Sequence, residues 1–220
     1  MPYSSFSKLG AGSELFYGLA GQAVSISNAS DVATVTLTGH GLVIGQYVEV
    51  TGVDAAFEEN AGLKKIVSVP DSNSFTYAAT GADDGSVTAA AGEALEVVSF
   101  TELEQADAIG ETGGVSNFQV SRRMRETTNR YIKGISDTPD KDLVCAHEPG
   151  NAAYAAFIVY WDSLEAAAGS LRFLLVSTVG DTALYSVAVG TRRMSQPGEE
   201  ELMMTFAGKQ TGEVQWGEDA

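Results

Sequence analysis

The stretch "TGHGLVIGQYVEVTGV", Thr38 to Val53, decides the fold class of the middle of this chain. Two glycines flank His40, a third follows at Gly45, and then Val48 and Val50 alternate with Tyr47, Glu49 and Thr51. Glycine-punctuated turns beside period-two apolar residues predict short antiparallel strands. The pattern extends outward. "VATVTLT" alternates Ala33, Val35 and Leu37 with threonines, and "KKIVSV" and "SFTYA" continue the period. The links "VPDSNS" and "TGADDG" carry turn residues. Residues 22–92 are therefore expected to form one small antiparallel barrel or sandwich. His40 is expected to serve local hydrogen bonding within its turn.

The flanks have a different texture. "EALEVVSF" (93–100) and "DLVCA" (142–146) predict strands, separated by polar, glycine-rich sequence. "PGNAAYAAFIVYWDSLEAAAG" (149–169) predicts the chain's one good helix, capped by Asn151 and stopped at Gly169. Tyr154, Phe157, Ile158, Trp161, Leu164 and Ala168 recur at helical spacing as an apolar stripe that packs on a sheet. Strands are expected at 171–177, 183–189 and 201–207, with "TRRMSQPGEEE" linking the last two.

The bulk numbers bound the function. The 220 residues suffice for one large or two small domains. No apolar run reaches the roughly 18 residues that a membrane helix needs, and the N-terminal stretch has no signal-peptide pattern. A single cysteine, Cys145, excludes an intrachain disulfide and fits a reducing compartment. The formal net charge of −16 argues against gripping nucleic acid, which needs clustered cations. Residues 22–92 hold eight acids against Lys64 and Lys65.

No nucleotide-binding, hydrolase, zinc or thiol-redox motif occurs. His40 and His147 have no ligand-spaced partners, and "GADDG" (81–85) lacks the alternating oxygen ligands of a calcium loop. No catalytic residue, metal or cofactor is expected. The exception to the acidic texture is "SRRMRETTNRYIK". There Arg122, Arg123, Arg125, Arg130 and Lys133 place five of thirteen basic residues within twelve positions.

The stretch "HGLVIGQYVEVTGV…AAFEENAGLKKIVSVPDSNSFTY" resembles a small β-barrel module of phage structural proteins. His40, Gly41, Leu42, Gly45, Val48, Val50, Gly52, Phe57, Val67, Val69, Asp71, Phe75 and Tyr77 fit its pattern. Asn60-Ala61-Gly62 stands where the module usually has Asn-Gly. The flanks, "GAGSELFYG" and "VSRRMRETTNRYIKGISDTPDKDLVCA" with the helix and final strands, resemble the major tail tube protein of long-tailed, non-contractile bacteriophages. The resemblance implies a mainly β chain. A tail-tube β-sandwich or barrel with one flanking helix (1–21 and 93–220) would carry an inserted small antiparallel β-barrel (22–92) on the tube exterior.

The same resemblance implies a non-enzymatic virion protein, assembled in the host bacterial cytoplasm, whose hexameric rings stack into the tail tube. Its partners would be itself, the tape measure protein, and the tail terminator and distal tail proteins. Genomic DNA would pass without specific binding, and no membrane would be involved. A wall that repels phosphate should be acidic, with Glu93, Glu96, Asp142, Glu199, Glu200 and Glu201 as lumen candidates. The basic segment is expected to dock on an acidic surface of the neighbouring subunit or of the next ring, through Glu102, Glu104 and Glu111 or through Glu199 to Glu201. The alternatives are another virion structural or decoration protein, or a carbohydrate-binding module.

Overall fold

The computed structural model describes residues 6–8, 13–82, 84–110, 115–121, 130–137, 141–177, 181–195 and 202–218. The chain is mainly β, with one α-helix among the described residues. It runs through β1 (Phe6–Lys8), β2 (Glu14–Gly18), β3 (Gln22–Ala23), β4 (Ser25–Ala29), β5 (Val32–Thr36) and β6 (Tyr47–Thr51). A 3-10 turn (Ala55–Asn60) precedes β7 (Gly62–Asp71), β8 (Ser74–Ala78), β9 (Gly85–Ser86) and β10 (Glu96–Glu102). Then come β11 (Ala106–Gly110), β12 (Val115–Ser121), β13 (Arg130–Asp137), β14 (Leu143–Ala146), α1 (Ala152–Ala166), β15 (Ser170–Val176), β16 (Asp181–Ser195) and β17 (Met203–Glu218). Two compact units result: Met1–Phe16 with Glu102–Asp219, and Tyr17–Thr101.

The 17–101 unit is a closed barrel. β6 pairs with β7, β7 with β8, β8 with β5, and β5 with β4. The segment 85–90 then closes the ring. On one side it pairs with β4 at Ser27↔Ser86, and Val87 N donates to Ile26 O at 2.9 Å. On the other it bridges Val53↔Ala89 and joins Asp54 N to Thr88 O at 2.9 Å. Through these contacts the described strands form a ring, an arrangement that covers strand edges. The core is the predicted alternation made solid, with Ala33, Val35, Leu37, Val48, Val50, Phe75 and Tyr77 buried. One expectation fails here. Tyr47 and Glu49, expected opposite the core, are buried as well, because β6 is covered on both faces. Val67 is 60% exposed beside buried Ile66, as strand alternation requires.

The chain enters this unit through β3 and leaves through β10, and these pair directly: Glu96↔Ala23, Val97↔Gln22. Val24 N donates to Leu95 O at 3.0 Å, so the two ends of the barrel segment are adjacent. β10 also pairs with β6 from Glu96↔Thr51 to Ser99↔Val48. The strand over 93–100, expected with the flanks, thus belongs to the 17–101 unit, whose limits lie outside 22 and 92.

The other unit is built on an antiparallel sheet in the order β1-β11-β14-β17-β16-β15. Its spine is the long β16–β17 pair, running from Asp181↔Glu218 to Ser195↔Met203 with bulges after Leu184 and Val189. Both strands outrun the predicted spans. "TRRMS", expected in a link, is strand, and so is everything from 208 to 218. Helix α1 packs on β15 and β16. Asn151 caps it, its side chain accepting from Ala153 N and Tyr154 N. Tyr154, Phe157 and Trp161 are fully buried around Phe206, whose ring centroid lies 5.0 Å from Phe157 and 5.1 Å from Trp161. Trp161 Nε1 donates to Gly190 O at 2.9 Å. Ile158 and Leu164 are only partly buried, and Ala168 is exposed beyond the helix end. The left-handed stop is Ala168 (φ 51°), not Gly169, whose N–H bonds back to Leu164 O at 2.8 Å.

Candidate assembly surfaces

β12 and β13 form a two-stranded ribbon, and among the described strands each pairs only with the other. Its register runs from Val115↔Asp137 to Ser121↔Arg130 with one bulge after Ser116. Two of the basic candidates lie on β13. Arg130 opposes Ser121 and Lys133 opposes Phe118, while Arg122, Arg123 and Arg125 lie outside the described residues. A two-stranded ribbon alone is marginal in water.

Three acids come together in the same unit. Glu102, at the end of β10, has its carboxyl raised above the ordinary range, first by burial and then by the charges of Glu14 and Glu104. The fold thus gathers three carboxylates whose mutual repulsion a cation would relieve. Glu102 and Glu104 were legible from the sequence. Glu14 was not, because only strand pairing brings position 14 near 102. Glu111 lies outside the described residues.

The described lumen candidates are divided between the two units. Glu93 sits exposed in a turn, with its N–H on Ala90 O at 3.0 Å, and Glu96 starts β10. Both lie in the 17–101 unit because β10 pairs with β6 and β3. Asp142 lies in the other unit and is already engaged. Its Oδ1 accepts from Gly208 N at 3.2 Å, and its Oδ2 meets Arg193 at 3.4 Å. Glu199, Glu200 and Glu201 lie outside the described residues.

Sequence reading missed the Asp142–Arg193 pair and a second, closer one. Arg192 Nε and Nη2 grip both oxygens of Asp162 at 2.7 and 3.0 Å, tying β16 to α1. That bond, first of all causes, raises the arginine's pKa. Residues 162 and 192 meet only after the helix docks.

Burial, with the Asp107 charge adding to it, pushes the Cys145 thiol up and away from the reactive thiolate. His147 Nδ1 lies 3.4 Å from the Tyr154 hydroxyl, whose pKa burial pushes up to about 12. Among the described residues no three acids, histidines or cysteines cluster as a metal site. No helix there is long and apolar enough to cross a membrane.

No protein-family model matches the chain, and no curated protein matches it. Among solved structures, the phage phi92 endosialidase is similar at 12% identity with a TM-score of 0.28. The likeness covers 86% of this chain and 34% of that one, so the chain spans about a third of that structure's length.

Proposed function

We propose that this chain is a self-assembling structural subunit of a bacteriophage tail tube, with six copies per ring and rings stacked into a conduit. The observation that carries this reading is the contrast between the two units. The 17–101 barrel is closed. The other unit holds a β12–β13 ribbon without a further strand partner among the described residues, and a sheet whose order begins at an outer strand, β1. Open edges and unpartnered ribbons are liabilities that joining copies edge to edge removes. The assembling surfaces therefore belong to the 1–16 and 102–219 unit. The barrel is a module inserted on the exterior, its adjacent ends fitting an insertion.

The basic segment supplies the contact between copies. Subunits of net charge −16 repel each other, so stacking needs complementary patches. Arg122, Arg123, Arg125, Arg130 and Lys133 are one patch, and Glu14, Glu102 and Glu104 are the other. Arginine suits this because its planar fork binds carboxylates bidentately. Each exposed pair contributes only about 0.2–1 kcal/mol, but a ring sums six sets. The role is structural, with no reaction or cofactor. The tape measure, terminator and distal tail proteins would be the other partners, with DNA passing the lumen.

Analytical ultracentrifugation and light scattering at low and high salt test this reading. The wild-type chain should form hexamer-sized and larger species whose abundance falls with salt. The triple change of Arg122, Arg123 and Arg125 to Ser should lack both. Monomers at every concentration would refute the assembly reading. Unchanged assembly by the triple variant would refute the role of the basic segment alone.

A further inference from the structure

The loop after β5 carries a feature that a purely architectural turn does not need. His40 Nδ1 accepts a hydrogen bond from Leu42 N at 3.0 Å. Nδ1 must therefore be unprotonated and the proton of the neutral ring must sit on Nε2. Nε2 is itself buried and has no partner among the described residues. The ring stands edge-on to Phe75 of β8, with centroids 5.4 Å apart at 73°. The neighbouring backbone is fixed by Gly39 N on Ser72 O at 3.0 Å and on Asn73 Oδ1 at 3.1 Å, and by Gly45 N on Ile66 O at 2.9 Å. Gly39, Gly41 and Gly45 all have positive φ, so the path between these anchors is one that few other residues could follow.

We propose that His40 is an acid-sensitive clasp: its protonation releases the 39–45 loop and bares Leu42. An imidazolium has two N–H donors and no acceptor. The proton added at Nδ1 would face the Leu42 N–H, turning an attraction into a repulsion. The positive ring would hold a second donor, at Nε2, buried against Phe75 without an acceptor. A buried unpaired donor costs about 1–3 kcal/mol, and more when charged. The cheaper course is for the ring to swing to water, and Leu42 loses its tether.

Residues 38–46 contain no acid. The carboxylate of that corner, Asp71 at the end of β7, accepts from Asn73 N at 2.7 Å. The β7 cations are placed elsewhere, Lys64 over the Tyr77 ring and Lys65 over the Tyr47 ring. Leu42, now in the core, would join Val43 and Ile44, which are 58% and 66% exposed. Acid would thus enlarge an apolar tip on the barrel.

Hydrogen–deuterium exchange of the full chain at pH 7.5 and 5.0, corrected for intrinsic exchange, tests this. Protection over residues 39–45 should fall about tenfold at the lower pH, the loss of roughly one hydrogen bond's worth of stability. Residues 74–78 of β8 serve as the internal reference and should not change. His40→Asn keeps a side-chain acceptor two residues before Leu42 without titrating, and should remove the pH response. Equal loop protection at both pH values would overturn the proposal. So would a parallel loss in β8, or a pH response that survives in the Asn variant.

Discussion

At the residue scale, the sharpest constraint is Gly52. Its φ is +73°, and a Cβ there would overlap the carbonyl oxygen of Ala94. The glycine lies where the end of β6 passes the segment leading into β10, and it also accepts from Ala90 N at 2.9 Å. Gly52→Ala combines a left-handed backbone cost of about 1–3 kcal/mol with a backbone clash. Chemical denaturation should show the 17–101 unit destabilised by at least that much. Glycines at 39 and 41 have open space instead, so only their φ resists substitution. A second residue, Glu102, yields a prediction in pH. Its pKa is raised in the folded chain, so folding is favoured when it is protonated, and that contribution is lost as pH rises through the folded value. Glu102→Gln should therefore raise the melting temperature at pH 7 and leave it unchanged near pH 4. The same change should weaken assembly if the acidic trio receives the basic segment.

At the element scale, legibility followed periodicity. The β5 alternation was readable because Ala33, Val35 and Leu37 face one core while threonines face out. Helix α1 was readable from its cap and its aromatics. β4, "SISNA", was not, since four of its five residues are small or polar and only Ile26 announces a core face. β6 was misread because both its faces are buried, so Glu49 passed for a solvent residue. β12 and β13 are polar strands whose pairing, rather than composition, makes them strands. The basic residues of the candidate surface were legible as a cluster. Their acidic counterpart was only half legible, because Glu14 joins it through the fold. Trp161 joins helix to sheet through ring packing on Phe206 and its bond to Gly190 O. Trp161→Ala should cost about 3–5 kcal/mol, measured by chemical denaturation. Val159→Ala, on the exposed face, should change stability by less than about 0.5 kcal/mol.

At the scale of the whole molecule, the account separates a closed module from an assembling unit. The barrel's ends meet at Glu96↔Ala23. Replacing 24–94 with a short Gly/Ser linker should therefore leave a folded chain that still assembles. Soluble, folded but monomeric protein from that deletion would place the barrel in the assembly contacts and contradict the separation. The net charge of −16 belongs to this scale too: in the proposed assembly it would keep free subunits apart until complementary patches align. Electron microscopy of the purified full-length chain tests the central claim most directly. The account predicts six-fold rings with an open centre, stacking into tubes as salt is lowered. Uniform compact particles of monomer size, at every salt and protein concentration, would contradict it.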